Sequence, residues 1–348
     1  MELLLGTEPR HEYYAFELAA AARKLLAEVM LVKAGESVVV TADTQSDLRA
    51  AEATAQAAYA LGAHPVVVWY ETRPRAQMEP FAPVAAAVKA ADVWVEYAVQ
   101  YTLYTDARRS ACAGGVRYAA FGGLDVDAIV RTIGRVDYPV MLALGKKLVE
   151  LTRETADYRV TTTLGTDVRC DNRGADVYQS GRLGDEPGVA VMLGGQVVWL
   201  PHERSVEGTI VVDGMLWPPD AVGIVREPVT LRVEGGSITS IEGGAEARIL
   251  DAWLDSLDDP TMRRIAHFTY GFNPGVTRFT GRVAEDERVF GVFDFGFGGW
   301  MDRPAASHFD GVITAPTIVA DGVEIERDGR FSHPELVELC RRLGVPGY

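Results

Sequence analysis

Hydrophobic and polar positions in the first third of the chain follow two alternating rhythms. From Glu12 to Val32 apolar residues, mostly Ala and Leu, recur at helical spacing. Glu36–Ala42, with its run of valines, has the continuous apolar texture of a buried strand. Ser46–Leu61 returns to the helical period, with Asp43, Thr44 and Ser46 as candidate N-caps and Gly62 as terminator. Pro65–Tyr70 reads as a second strand, Phe81–Ala91 as a helix and Asp92–Tyr97 as a third strand. A helix over Ala107–Ala113 leads to the segment Arg117–Phe121. Strands alternating with helices predict a parallel sheet covered on both faces. The expectation is an α/β domain over residues 1–135, Rossmann-like or flavodoxin-like, that contributes pocket loops.

The texture changes after a connecting helix over Tyr138–Ala156. Tyr158–Val168, Val189–Leu200, Ser205–Asp213, Val229–Val233 and Ser237–Glu242 are short strands between Gly and Asp punctuation. That spacing predicts an α+β, mostly antiparallel domain over residues 136–348. Leu250–Leu257 and Thr261–Ala266 read as helix, which puts His267 at or just past a helix end. Gly271–Phe297 reads as Gly-rich strands, and Pro334–Leu343 as a short closing helix.

Composition narrows the function classes. With 48% hydrophobic and 24% charged residues over 348 positions, the chain is an ordinary globular protein of about two domains. A net charge of −15 argues against nucleic acid or an anionic membrane as partner. Cys112, Cys170 and Cys340 form no CxxC pair and no disulfide framework, so a reducing cytoplasm is the expected home. The first residues carry no basic n-region, and acidic residues come early, unlike a signal peptide. No GxGxxG or GxxxxGK[ST] follows the first strand, so nucleotide binding is not indicated.

The candidate chemistry sits near the C-terminus. In Ser307–Gly311, His308 and Asp310 are two positions apart, so a strand would point both to one face. His267 lies upstream. Two histidines and a carboxylate, with other positions open, are the ligand set of mononuclear non-haem Fe(II) oxygenases. A hydrogen-bonded pair at a strand start is the competing reading of His308 and Asp310, and a satisfied core histidine that of His267. Of the other histidines, His11, His64 and His333 read as surface, turn or capping residues. His202, in the polar run 200–205, is a candidate catalytic residue lining a cleft, against a solvated-loop reading.

Segments 264–275, 285–291, 307–313, 316–322, 328–331 and 205–214, taken in combination, resemble the aminopeptidase T-like metallopeptidase family. The resemblance covers most of the C-terminal domain and, more loosely, the whole length. Peptidases of that family hold two divalent metals with two Glu, two His, an Asp and a Tyr. His308 and Asp310 keep the final His-x-Asp. His267 falls where one Glu is expected, Gln196 on the earlier Glu, Phe293 on the middle His and Trp300 on the Tyr. An amide, a phenyl ring and an indole cannot replace those ligands around two cations.

The surviving set, His267, His308 and Asp310, looks like the iron triad of 2,5-dihydroxypyridine 5,6-dioxygenases, which share this scaffold. That resemblance implies Fe(II), O2 and a hydroxylated pyridine or related hydroxylated aromatic, opened to an N-formylmaleamate-type product. It also implies a homo-oligomer. In those dioxygenases a His-Ser pair often occupies the loop after the third strand; here it is Tyr104-Thr105, candidate substrate contacts. Tyr104 is also a candidate for proton transfer, although a phenol is a weak base near neutral pH, and an amphipathic surface residue is the competing reading. Phe293 and Trp300 are candidates for an apolar wall against a flat ring, with two core aromatics as the alternative. An aminopeptidase with a rearranged site and a non-catalytic ligand-binding member of the scaffold are the other functional classes.

Overall fold

The computed structural model describes residues 14–301 and 303–348; His11 and the predicted helix start at Glu12 lie outside them. The chain divides into two compact units. The first takes residues up to Val136 and again Arg182–Leu193, and the second takes Asp137–Gly181 and Gly194–Tyr348.

In the first unit valine-rich segments form a fully parallel sheet. Its strands are β1 (Ser37–Asp43), β2 (His64–Tyr70), β3 (Val93–Glu96), β4 (Arg117–Ala120) and β5 (Ala190–Met192). The order is β2-β1-β3-β4-β5, the flavodoxin-like arrangement. β1 and β3 are buried almost throughout, while edge strand β2 is largely exposed. Helices Ala15–Lys24, Leu48–Ala60, Ala82–Lys89 and Asp106–Ala113 alternate with the strands. Asp43 does not cap the second helix as the sequence suggested. Its carboxylate is taken by the loop, accepting from Gln45 N, Ser46 Oγ and Gln100 N. Asp47 caps instead, accepting from Arg49 N at 3.2 Å, so the helix starts two residues later than predicted. At the end of β3, the buried Glu96 accepts from Thr102 N and Oγ1 and from the Tyr118 hydroxyl.

The second unit contains two antiparallel sheets. The eight-stranded one begins with the hairpin Tyr158–Thr161/Asp167–Cys170, adds Glu207–Val212, Val229–Glu234 and Ser237–Gly243, and ends with the three strands of 317–331. The seven-stranded one contains β6 (Gln196–Trp199), β7 (Met215–Trp217), β8 (Ile265–Gly271), β9 (Val292–Trp300) and β10 (Arg303–Ile313). Their order is β7-β10-β9-β8-β6, with two-residue strands at both edges.

Two expectations change here. Val189–Leu200 is not one strand. The chain breaks at Gly194-Gly195, so Ala190–Met192 completes the parallel sheet and Gln196–Trp199 enters the antiparallel one. Gly195 has φ +96°, and a Cβ there would lie 2.5 Å from Asn273, so only glycine fits the turn. Thr261–Ala266 is not a helix either. A short turn over Pro260–Arg263 gives way to β8, so His267 lies inside a strand. The aromatic and β-branched run after Arg264 is paired on both sides, by β6 and β9, and that pairing overrides local helix propensity.

The three cysteines are buried and unpaired. Among the described residues no helix is long and apolar enough to cross a membrane.

Candidate metal centre

The seven-stranded sheet is chemically two-faced because strand side chains alternate. β9 reads Val292-Phe-Asp-Phe-Gly-Phe-Gly298. Phe293 and Phe295 join Trp199, Phe268 and Tyr270 in a buried aromatic cluster, with ring centroids 4.8–5.9 Å apart. The other face carries Asp294, Gly296 and Gly298 of β9, His267 and Thr269 of β8, and His308 and Asp310 of β10. Register places Gly296 between His267 and Asp310, and Gly298 beside His308.

Gly296 is what lets the ligands meet. The His267 ring lies over it, so a Cβ at 296 would come within 2.2 Å of His267 Nε2. His267 Nε2 is 3.1 Å from His308 Nε2 and 3.2 Å from Asp310 Oδ1, and His308 Nε2 is 3.0 Å from the same oxygen. Among the described residues these three form the one His/Cys/Asp/Glu group whose donor atoms converge this way.

The donor set fits a divalent metal. Donor atoms 3.0–3.2 Å apart can all reach one ion at ligand distances of about 2.1 Å. Proton placement agrees. His308 Nδ1 is 2.8 Å from the Gly299 carbonyl, which can only accept, so Nδ1 carries the hydrogen and Nε2 presents its lone pair inward. His267 Nδ1 is 3.0 Å from Thr269 Oγ1. The His308 Nε2 lone pair and the Asp310 carboxylate thus face one point beside His267 Nε2, an arrangement a cation stabilises.

The electrostatics follow from burial and from Asp310. Burial opposes ionisation of Asp310, yet the two imidazoles outweigh it and hold the carboxyl well below its usual range. Burial also opposes protonation of His308, but Asp310 wins and raises its pKa. At His267, burial prevails and the pKa falls. Asp294 is pushed well above the carboxylate range by burial and by the charges of Asp310 and Glu287. Glu287 is pushed up to about 7, by burial and then by Asp310.

Gln196 is held as a neutral amide. Its Oε1 accepts from Ser180 Oγ at 2.7 Å and from Arg288 Nη2 at 2.8 Å, while its Nε2 donates to Glu287. The buried guanidinium of Arg288 therefore binds the side chain that stands where the metallopeptidase resemblance expects a carboxylate. A fixed cation there disfavours a second metal ion.

The remaining candidates separate clearly. Trp300 stands beside the triad, its ring 4.7 Å from that of His267, half-buried. Phe293 does not; it is wholly buried in the aromatic cluster on the opposite face, because its parity along β9 is that of the core. His202 is exposed at the start of a short turn, where its backbone contacts Asp171 and Ser205, and it is not part of the converging group. Tyr104 and Thr105 belong to the first unit. Tyr104 is 52% exposed, and the Thr105 hydroxyl donates to Thr102 O and caps the helix Asp106–Ala113. His64 opens β2 and His333 precedes the last helix.

Sequence reasoning missed Gly296, Asp294, Glu287 and Trp217, which lies directly opposite Asp310 on β7. A signal existed for the first two. Alternation of Phe with Asp and Gly along 293–298 marks one face as core and the other as site.

A family model described as 2,5-dihydroxypyridine 5,6-dioxygenase matches residues 17–333. A 75-residue stretch is 40% identical to the 2,5-dihydroxypyridine 5,6-dioxygenase of Pseudomonas putida strain KT2440. That stretch is 21% of this chain and spans only 21% of the curated relative. Among solved structures, the 2,5-dihydroxypyridine dioxygenase of P. putida KT2440 superposes with TM-score 0.77 at 22% identity, over 92% of this chain and 98% of that one. Wild-type AmpT from Thermus thermophilus superposes with TM-score 0.66 at 16% identity, over 91% and 99%. At such identities the structural likeness speaks for the fold.

Proposed function

The chain belongs to the 2,5-dihydroxypyridine 5,6-dioxygenase family, and on that premise we propose that it is a mononuclear non-haem Fe(II) dioxygenase opening the ring of a hydroxylated pyridine or related hydroxylated aromatic. The observation that carries the proposal is the convergence of His267 Nε2, His308 Nε2 and Asp310 Oδ1 at 3.0–3.2 Å. Bound iron would supply the redox link through which O2 reacts with an electron-rich ring, both oxygen atoms entering the product.

The protein's own residues do the rest. Two neutral imidazoles and one carboxylate would leave a bound divalent ion with net positive charge, which favours an ionised ring hydroxyl. Gly296 keeps the floor beneath His267 open. Trp300 offers a half-buried indole face beside His267 against which a planar ring stacks. Glu287 is partly buried beside the site and accepts a hydrogen bond from Gln196 Nε2, which ties it to the Gln196–Arg288 cluster. The substrate contacts proposed for Tyr104 and Thr105, and the catalytic roles proposed for Tyr104 and His202, rest on the family resemblance and the sequence alone. A cytoplasmic homo-oligomer is the proposed context on the same grounds.

Anaerobic reconstitution should load about one Fe per chain, and O2 consumption should follow on addition of one member of a hydroxypyridine and catechol panel. His308→Ala or Asp310→Ala should lose both iron and O2 uptake. Two tightly bound metals per chain, or activity surviving Asp310→Ala, would sink the proposal. The aminopeptidase reading has the shared fold in its favour, but Gln196 and Arg288 work against the second metal it needs.

A further inference from the structure

Strand β2 has the residues of a central strand at the edge of its sheet. His64-Pro65-Val66-Val67-Val68-Trp69-Tyr70 carries no Lys, Arg, Asp or Glu, in a chain whose net charge is −15. Apolar runs of this kind belong inside a parallel sheet, covered on both faces. Yet Val66 is 51%, Val67 39% and Trp69 60% exposed, and Val66 and Val67 point to opposite faces. The pairing with β1 runs through seven residues without a bulge, and among the described residues no strand pairs with the other side. Of the devices that blunt a free edge, Pro65 is the one this strand carries.

Ladder parity fixes what the edge offers. His64 N donates to Glu36 O, just ahead of β1, at 2.7 Å, so even positions of β2 turn their N–H and C=O groups to β1. Odd positions turn theirs outward: three carbonyls, of Pro65, Val67 and Trp69, and two N–H groups, of Val67 and Trp69. This pattern is its own complement. With an antiparallel copy about a twofold axis at Val67, Val67 N–H meets the partner's Val67 carbonyl and Trp69 N–H the partner's Pro65 carbonyl. A twofold one residue on, at Val68, exchanges Val67 with Trp69 instead. Either way all four outward donors are satisfied, and Val66, Val67, Val68 and Trp69 each face an apolar or aromatic residue of the copy. Charge argues for a second copy as the occupant. Two equally acidic chains repel over most of their surface, and an uncharged strand is where they can touch. Glu71 is the first charge past the strand, and the two copies of it would lie at opposite ends of the ladder, at least about 20 Å apart and beyond the screening length. We propose that β2 is a self-association edge, on which two copies of this chain pair antiparallel about a twofold axis and join two five-stranded sheets into one of ten. The inference uses nothing of the metal-centre reading.

The test uses the full chain. Analytical ultracentrifugation reads its mass across a dilution series, and amide hydrogen exchange reads Val67 and Trp69. Wild type should be a dimer, or a multiple of one, at micromolar concentration. Its Val67 and Trp69 amides should be protected, and that protection should fade on dilution as the copies part. Val67→Lys sets two ammonium groups into the pairing and should weaken association at least about 100-fold. Val67→Pro removes an N–H that β1 does not use and should halve the mass likewise. Phe16→Lys replaces a side chain 90% exposed on the first helix and should leave the mass unchanged. A monomeric wild type, or folded Val67 variants of wild-type mass, would overturn the proposal; in the second case the homo-oligomer stands and uses another surface. Protection of both amides in a diluted monomer would also overturn it, by assigning the edge to a segment of the same chain. If neither Val67 variant folds, the dilution dependence of wild-type exchange decides.

Discussion

A single methyl group added at Gly296 should dismantle the metal centre while sparing the fold. A Cβ there would lie 2.2 Å from Nε2 and 2.5 Å from Cδ2 of His267, where ordinary contact begins at 3.4 Å. The backbone cannot yield easily, because β9 is paired on both sides at this residue. The imidazole must therefore move by about 1.2 Å within its packing against Trp300, His308 and Thr269. Metal–ligand distances tolerate only about 0.2 Å of error. His267 is then no longer a ligand. Gly296→Ala should weaken metal binding by at least about 100-fold, more than the loss usual for an outer-shell partner. Overpacking should cost about 1–3 kcal/mol of stability, which a chain of this size can absorb. Anaerobic Fe(II) or Co(II) titration, metal content after gel filtration, and far-UV circular dichroism together make the assay. A folded Gly296→Ala protein that holds one metal with wild-type affinity would refute the reasoning.

Three further outcomes are expected. Glu96 is pushed up to about 7 by burial, which outweighs its hydrogen bonds from Tyr118 and Thr102, so the folded state keeps its proton longer than the unfolded chain. Its stabilising contribution is full below pH 4.5, the ordinary value, and is lost as pH rises through about 7; urea unfolding should show the wild-type advantage over Glu96→Gln shrinking by about 3 kcal/mol across that window. Trp300→Ala should raise KM for the aromatic substrate about 10-fold with metal content unchanged, the loss of roughly one ring–ring contact, and unchanged KM would remove Trp300 from the pocket. Asp47→Ala should cost about 1 kcal/mol in urea unfolding through loss of the helix cap, a cost absent if Asp43 were the cap.

The fold classes were legible because each rests on a long-range rhythm. Valine runs between Ala/Leu helices could only make a covered parallel sheet, and the short punctuated strands after Ala156 an antiparallel one. His308 and Asp310 were legible for the same reason, since a period of two fixes a shared face. What the sequence concealed were events decided by pairing partners. The helical look of Thr261–Ala266 hid the strand that carries His267, because propensity does not know that β6 and β9 wait on either side. The division at Gly194-Gly195 was concealed because two strands bound for different sheets abut in sequence. Phe293 was misjudged by attending to its alignment rather than its parity; reading Phe293 and Asp294 as opposite faces would have sent the ring to the core.

The late arrival of β5 has a consequence for synthesis on the ribosome. Strand β4 ends at Ala120, but its neighbour starts at Ala190, and the chain between spends residues 137–181 in the other unit. At about 5–20 residues per second, the first four strands wait roughly 4–14 s for the fifth. Throughout that interval β4 offers a row of unpaired backbone groups, the template on which nascent chains mispair. A chain that stops after Val136 makes the wait permanent. It should be less soluble than one that runs on through Leu193, although every helix and strand of the first four-strand block is present in both.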